Sequence, residues 1–255
     1  MTPSPDQAAG IPYRPAHDVT TPEPFRPPAP PITDPLLVLD MPLGDDLFLI
    51  ALDDRCRWRR PASVVGLALG GALLGELLLT RHITVHLGHV RVPDQHHLPA
   101  DPLANRTLAR IIAEPATRSV REWLDFLADT AIDAIADRMQ AAGRIVRLVQ
   151  PRRFRSPTVA YIWPGDRAGV AAWRSVRLNM VMDRRGSVTW QDVLLAGLVV
   201  ATGLADSVME LQPRHERAAN VRHVLRVAQG HAPDLWQLVS EVQAAAGDGV
   251  LTHRH

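Results

Sequence analysis

The longest apolar stretch of the chain lies between Val64 and Leu79, where VVGLALGGALLGELLL carries one charge, Glu76. A helix that is apolar on all sides is either buried in a protein core or embedded in a membrane. These sixteen residues rise only about 24 Å, less than the roughly 30 Å hydrocarbon layer of a bilayer. The pattern therefore predicts a buried central helix, whose glycines let neighbouring helices approach closely.

Further helices are predicted on both sides of this central helix. An apolar run over Leu36–Leu52 contains Gly44-Asp45-Asp46, which indicates a helix start because acidic residues favour the first turn. Residues 101–142 show helical spacing with breaks near Pro115 and around Asp129. Four later helices are predicted at Ala168–Met182, Trp190–Leu204, His215–Gln229 and Pro233–Ala246.

Two segments alternate between apolar and polar residues and predict β-hairpins. Ile83–Val92 alternates around Gly88, and Arg144–Trp163 alternates on both sides of a tip rich in proline and arginine. Between the first apolar run and the central helix, Asp53–Arg60 is a polar loop, and Pro61 suits the first helical turn. The pattern predicts a mainly α fold: a single helical-bundle domain around a buried, glycine-rich central helix, with two small β-hairpins.

Composition divides the chain into a tail and a domain. Residues 1–35 hold 11 of the 22 prolines and almost no apolar periodicity, which is typical of a disordered, extended tail. Residues 36–255 are long enough for one sizeable core. The single cysteine, Cys56, excludes an intrachain disulfide and fits a reducing compartment. No signal-peptide pattern is visible, so we expect a cytoplasmic protein whose membrane contact is peripheral.

Charge is segregated along a chain whose overall net charge is only +1. Residues 144–185 carry ten arginines against two acidic residues, a net charge of +8. Residues 101–143 carry five arginines against seven acidic residues, a net charge of −2. A basic block in a near-neutral protein indicates an anionic partner, and the guanidinium group can bind phosphate with two hydrogen bonds.

Two basic segments contain aromatic residues and are candidate lipid-binding sites. In the tip PRRFRSP (151–157), Phe154 is surrounded by arginines and could insert into a bilayer while they bind head groups; these are Arg152, Arg153 and Arg155. The alternative is a solvated loop whose phenylalanine packs on its own protein. In the polar loop, head-group binding is predicted for Arg57, Trp58, Arg59 and Arg60. The alternative there is an exposed loop in which Trp58 caps the core.

Motifs for catalysis or metal binding are weak. Histidines at 86, 89, 96 and 97 lack a ligand-like spacing with cysteine or acidic residues. The adjacent pairs Asp45-Asp46 and Asp53-Asp54 are better explained by a helix entry and exit than by acid–base catalysis. No phosphate-binding GxxxxGK[ST] motif is present. We therefore predict no catalytic residue, no metal and no cofactor. Glu76 and Asp206, inside apolar helices, are expected to be buried and paired structurally.

Several of these segments together resemble the Golgi phosphoprotein 3 family in its bacterial form, over roughly residues 36–255. The resemblance rests on GALLGELLL, VREWLDFLADTA, RMQAAGRIV, DVLLAGLVVATGLADSVM and GDGVLTHR. It implies a mostly helical, peripheral membrane fold. It also implies phosphatidylinositol 4-phosphate binding, an adaptor role with protein clients, and a hairpin that contacts membranes and mediates self-association.

The lipid pocket that the resemblance implies is only partly matched. Relatives use a tryptophan before the central helix, an arginine on it, and two arginines three residues apart on a later helix. The tryptophan falls near Pro61, three residues after Trp58, and the helix arginine falls on Gly70. The later pair falls on Asp129 and Ile132, neither of which is basic.

Taken together, the sequence favours a non-enzymatic protein that binds anionic phospholipid head groups peripherally at the inner face of a membrane. The alternative is a protein–protein scaffold without lipid binding. Nucleic-acid binding ranks last, because neither a helix-turn-helix signature nor an aromatic RNA-binding strand motif is present.

Overall fold

The computed structural model of the chain describes residues 32–33, 41–94, 97–114, 119–152, 155–162, 175–179, 188–208 and 214–252. Its helices are α1 (Leu43–Ala51), α2 (Ala62–Leu79), α3 (Pro102–Ala113), α4 (Val120–Ala141), α5 (175–179), α6 (Trp190–Ala201), α7 (Ala205–Val208), α8 (Arg214–His231) and α9 (Pro233–Thr252). Its strands are β1 (Ile32–Thr33), β2 (Thr84–His86), β3 (His89–Arg91), β4 (Val146–Arg152), β5 (Arg155–Ile162) and β6 (Val188–Thr189).

The strands form three two-stranded pairs at the edges of a helical body. β2 and β3 pair antiparallel, and so do β4 and β5, which confirms the two predicted hairpins. β1 pairs parallel with β6, with Ile32 opposite Val188. Ile32 and Thr33 lie inside the predicted tail, and residues 1–31 and 34–40 lie outside the described residues. The fold is mainly α, as the sequence predicts.

The central element is α2, which packs against α1, α3, α4, α6 and α9. By length and composition alone α2 is apolar enough to cross a membrane, but 89% of it is buried inside the protein. That burial is typical of a core helix. The prediction of a buried central helix is therefore confirmed.

Glycines set the distance between α2 and its neighbours. A Cβ built at Gly66 would lie 2.4 Å from the backbone carbonyl oxygen of Ala128 in α4. A Cβ built at Gly70 would lie 3.2 Å from Leu127 Cβ on the same helix. On other sides, Gly71 faces α6 and α9, and Gly75 faces α1 and α6. The glycines therefore serve several interfaces at once, and the one with α4 is the tightest.

The helix α4 runs unbroken from Val120 to Ala141, so the predicted break around Asp129 is wrong. A capping box fixes its start: Ser119 accepts the N–H of Glu122, and the Glu122 carboxylate accepts the N–H of Ser119. Asp129 is exposed on the helix surface, where its polar side chain does not disturb the packed face. The helix instead ends where Gly143 adopts a positive φ of 64°.

A buried ionic cluster joins the start of α1 to α2, α3 and α4. Arg138 donates to both Glu76 oxygens, each at 2.9 Å, and to Asp45 at 2.8 Å. It also reaches Asp101 at 3.1 Å, while Arg144 pairs with Asp45. The Asp45 side chain is fully buried, and the side chains of Glu76 and Arg138 are 6% and 10% exposed. The expected burial and pairing of Glu76 is confirmed.

The charges of this cluster do not balance, since three carboxylates meet two guanidinium groups. Burial raises the pKa of Asp45, although Arg138 and Arg144 oppose the shift. Burial likewise raises the pKa of Glu76, although the hydrogen bonds from Arg138 and from the N–H of Gly44 act to lower it. The other acid that the sequence predicts to be buried, Asp206, is exposed at the start of the short helix α7, so the expected burial is wrong there.

Candidate functional site

The basic loop between α1 and α2 is a tight turn organised by Asp53. The Asp53 carboxylate accepts the N–H groups of Arg55 and Arg57 at 2.9 and 2.8 Å, together with the guanidinium of Arg57. These hydrogen bonds, led by the backbone N–H of Arg57, lower the pKa of Asp53. Cys56 occupies the left-handed region of the turn at φ 55°, and burial raises the pKa of its thiol. These hydrogen bonds fix the backbone of the turn from which the side chains of Arg55 and Arg57 extend.

Trp58 connects this loop to the core and to the second hairpin. Its ring packs edge-on against Phe48 of α1, with centroids 5.0 Å apart, and against Tyr161 of β5 at 5.5 Å. Phe48 and Tyr161 also contact each other edge-on at 5.0 Å. Such pairs add roughly 0.5–1.5 kcal/mol to the free energy of area burial. Trp58 is half-buried, so its packing matches the core-capping alternative, and its contact with a head group stays a prediction.

Two of the predicted loop arginines are used to bind backbone carbonyls. Arg59 donates from Nε to the carbonyl of Leu52 at 2.9 Å and from Nη1 to that of Ser207 at 3.5 Å. Arg60 donates from Nε to the carbonyl of Thr202 at 3.2 Å. Both are half-buried and tie the loop to the segment that follows α6. Their head-group role stays a prediction, and the structure gives them a structural role in addition.

The loop cations that face solvent are Arg55 and Arg57. The Arg57 side chain is 67% exposed although it pairs with Asp53. Arg55 is exposed, and its guanidinium has no partner among the described residues. Arg55 belongs to this polar loop, but it is not among the head-group-binding residues predicted from the sequence. The difference becomes visible only in the structure. In the turn around Asp53 the Arg55 guanidinium has no described partner, whereas the guanidinium groups of Arg59 and Arg60 bind backbone carbonyls.

The β4–β5 hairpin carries the second predicted segment. Arg152 and Arg155 are paired across the strands next to the tip, and Arg153 and Phe154 lie outside the described residues. The residues paired at the hairpin base, Val146 and Ile162, are 42% and 45% exposed. Leu148 continues this outward row at 39% exposure. The hairpin therefore presents an unusual apolar outer face, next to a basic tip.

The opposite face of the hairpin is fixed to the body of the protein. Tyr161 is buried, and Arg147, opposite it on β4, pairs with Asp133 at 2.6 Å and Asp137 at 3.3 Å on α4. Beyond these anchors Val149 is 57% exposed. Because a strand rises about 3.3 Å per residue, Arg155, at the start of β5, lies roughly 20 Å along the strand from Tyr161. The structure thus brings the base of the hairpin, rather than its tip, next to the Trp58 loop.

The positions at which the family resemblance implies basic residues form no cationic pocket. Gly70 is buried against Leu127 and Ala128, so no side chain extends from α2 there. On α4, Asp129 is exposed and Ile132 is half-buried. Among the described residues, no group of three or more histidine, cysteine or acidic side chains is arranged to hold a metal. The residues at these three positions therefore provide no guanidinium group for a phosphate.

Comparison with known proteins identifies the family. The family model of Golgi phosphoprotein 3 (GPP34) matches residues 43–242, most of the chain, from the start of α1 into α9. The chain therefore belongs to the Golgi phosphoprotein 3 family, which confirms the resemblance seen in its sequence. A search of the curated proteins gave no match.

Proposed function

We propose that this member of the Golgi phosphoprotein 3 family binds anionic phospholipid head groups peripherally, at the inner face of a membrane, and acts there as an adaptor. Membership of this family suggests its phosphoinositide-binding role. The members of the family are lipid-binding adaptors and are not known to be enzymes. Phosphatidylinositol 4-phosphate is the lipid that this membership implies. Protein clients and a second copy of the chain are further proposed partners.

The observation that carries the proposal is the junction of Trp58 and Tyr161, which joins the basic loop to the exposed hairpin. In the proposed contact, the guanidinium groups of Arg55 and Arg57 bind phosphates beside the hairpin base. At the other end, Arg152, Arg153 and Arg155 bind phosphates around an inserted Phe154. Each arginine near an anionic leaflet contributes about 1 kcal/mol, an effect that falls off within a Debye length. Several such weak contacts together support reversible, peripheral binding.

Selectivity is expected to follow charge rather than the position of one phosphate. Gly70 and Asp129 stand where the family resemblance implies arginines, and neither can clamp a phosphate. The test is co-flotation of the purified protein with three vesicles: neutral lipid, neutral lipid with phosphatidylglycerol, and neutral lipid doped with phosphatidylinositol 4-phosphate. We expect binding to both anionic vesicles, increasing with surface charge. Binding to the doped vesicles alone would show a specific pocket, and binding to none would contradict the proposal.

Reversing one exposed loop charge, Arg55→Glu, is expected to weaken binding to phosphatidylglycerol vesicles about tenfold at low salt. The reason is that the change replaces an attraction of about 1 kcal/mol by a repulsion. The matched control is Arg222→Glu, which makes the same change at an exposed position of α8. Flotation at several salt concentrations measures both. Equal weakening by the two variants would mean that net charge, and not this loop, determines binding.

Removing the aromatic ring at the hairpin tip, Phe154→Ser, is also expected to weaken vesicle binding about tenfold. Burying a phenylalanine side chain in an apolar environment contributes roughly 1.5–3 kcal/mol, and serine cannot replace that contribution. Flotation is compared with the free energy of unfolding from urea denaturation, which we expect to stay unchanged. Binding equal to that of the wild type would rule out insertion of the ring.

A second candidate function is a protein–protein scaffold without lipid binding. The observation that favours it is a row of exposed carboxylates at a spacing of four on α4: Asp125, Asp129, Asp133 and Asp137. An acidic helix face repels an anionic membrane and attracts a basic partner. Failure of all three vesicle arms would favour this candidate.

A further inference from the structure

A cleft of about 320 Å³ opens where the end of α2, the start of β2 and the turn between α8 and α9 meet. Its walls are largely apolar side chains that belong to the core, among them Leu79, Ile83 and Leu235. The half-buried Trp190, at the start of α6, contributes to the same lining. The volume lies within the range of small-molecule sites, which are mostly apolar with a few polar groups.

The polar residues in the lining include a cation, Arg81, that no described residue neutralises. Arg81 is exposed, and its guanidinium forms no hydrogen bond or ion pair with any described residue. His231 is exposed in the same lining, and its ring likewise has no partner among the described residues. The one carboxylate of the lining, Asp234, accepts the N–H of Val85 at 3.2 Å. A guanidinium beside an apolar wall is complementary to a ligand with an anionic head and an apolar body.

The backbone at Arg81 is in a conformation that usually belongs to glycine. Arg81 follows the C-cap of α2 with φ at 58°, where the N–H of His82 bonds to the carbonyl of Leu77 at 2.8 Å. The N–H of Arg81 bonds to the carbonyl of Leu78 at 3.0 Å, which completes a Schellman motif. Arginine there is disfavoured locally relative to glycine. A strained residue whose side chain forms no hydrogen bond or ion pair with the described residues suggests a role outside folding.

From the apolar walls, the free guanidinium and the strained backbone, we infer that this cleft binds a single-chain anionic amphiphile. The apolar chain lies against Leu79, Leu235 and Trp190. The carboxylate or phosphate of the head is bound by Arg81. A free fatty acid and a lysophospholipid share this chemistry. The cleft is separate from the loop and hairpin of the proposed membrane contact, so the inference does not depend on that function.

The experiment is calorimetric titration of the full chain with monomeric ligands in the absence of vesicles. Decanoate and a lysophosphatidylglycerol, each below its critical micelle concentration, distinguish the two sources of the ligand. Acetate tests the head alone, and decyltrimethylammonium tests the chain with the opposite charge. We expect saturable binding of at least one anionic amphiphile and at least tenfold weaker binding of acetate and of the cationic amphiphile.

The variant is Arg81→Gly, expected to weaken amphiphile binding at least tenfold while Tm stays unchanged or rises by about 2–4 °C. The matched control is Leu87→Gly, which relieves the same kind of backbone strain at φ 52° on the adjacent hairpin, outside the cleft lining. We expect the control to bind like the wild type. The inference is overturned by undiminished binding to Arg81→Gly, by equal weakening in Leu87→Gly, by equally tight binding of acetate or decyltrimethylammonium, or by no binding of either anionic amphiphile.

Discussion

Replacing Arg138 by methionine is expected to lower the free energy of unfolding by about 3–5 kcal/mol. Arg138 is the shared partner of Asp45 and Glu76, both of which are buried. Without the guanidinium, Arg144 remains for Asp45, whereas Glu76 keeps only the N–H of Gly44 among its described partners. Methionine retains much of the aliphatic bulk, so the loss reports the buried charges rather than a cavity.

The measurement is urea denaturation of wild type and variant, with Arg147→Met as the control. Arg147 also bridges two carboxylates, but Asp133 and Asp137 are 61% and 69% exposed. Exposed ion pairs contribute roughly 0–1 kcal/mol, so the control should lose no more than about 1 kcal/mol. Equal losses in the two variants would contradict the assignment of the Arg138 cluster as a buried ionic core.

The loss caused by Arg138→Met is expected to grow with pH. The folded-state pKa values of Asp45 and Glu76 are already raised by burial, and removal of Arg138 raises them further. A carboxyl whose folded pKa is raised contributes stability below its unfolded pKa of about 4, and this contribution is lost as the pH rises through the folded pKa. The variant therefore approaches the wild type in stability near pH 4 and diverges from it towards pH 7.

Local pattern was sufficient to predict most of the fold. The run from Val64 to Leu79 has no polar face, so a core position for α2 follows directly. Alternation around Gly88 was sufficient for the first hairpin, where Gly88 has φ at 75°. The error at Asp129 has a physical cause. Aspartate has a low intrinsic helix propensity, but the buried face of α4, with Leu124 and Ile135, outweighs one exposed residue.

The candidate site was predictable in composition but not in geometry. Aromatic and arginine residues identified the Trp58 loop and the Phe154 hairpin as separate segments. That Trp58 contacts Tyr161 depends on a pair about a hundred positions apart, which no local pattern encodes. The same holds for the hydrogen bonds of Arg59 to Ser207 and of Arg60 to Thr202, which join distant parts of the chain. Arg81 was not identified from the sequence, because a left-handed backbone conformation leaves no signal in the sequence when the residue is neither glycine nor asparagine.

Substituting alanine for Gly66 is expected to destabilise the protein by about 3 kcal/mol or more, at the upper end of the cost of overpacking. The added Cβ would lie 2.4 Å from the carbonyl oxygen of Ala128, a backbone atom that cannot rotate away. Relief requires α2 and α4 to separate, and this loosens the contacts that Gly70 and Leu127 make in the same interface. The intrinsic helix preference of alanine over glycine, about 1 kcal/mol, acts in the opposite direction and is too small to compensate.

The control for Gly66→Ala is Gly247→Ala, which makes the same substitution inside the helix α9. A Cβ built at Gly247 meets nothing within 4 Å, so only the helix preference remains, and we expect a gain of about 0.5–1 kcal/mol. Urea denaturation of the two variants should therefore give changes of opposite sign. A stabilising Gly66→Ala would mean that α2 and α4 are not in backbone contact. A destabilising change confined to Gly66 would show that the close packing of α2 against α4 requires glycine. The same close packing leaves no room for an arginine side chain at Gly70.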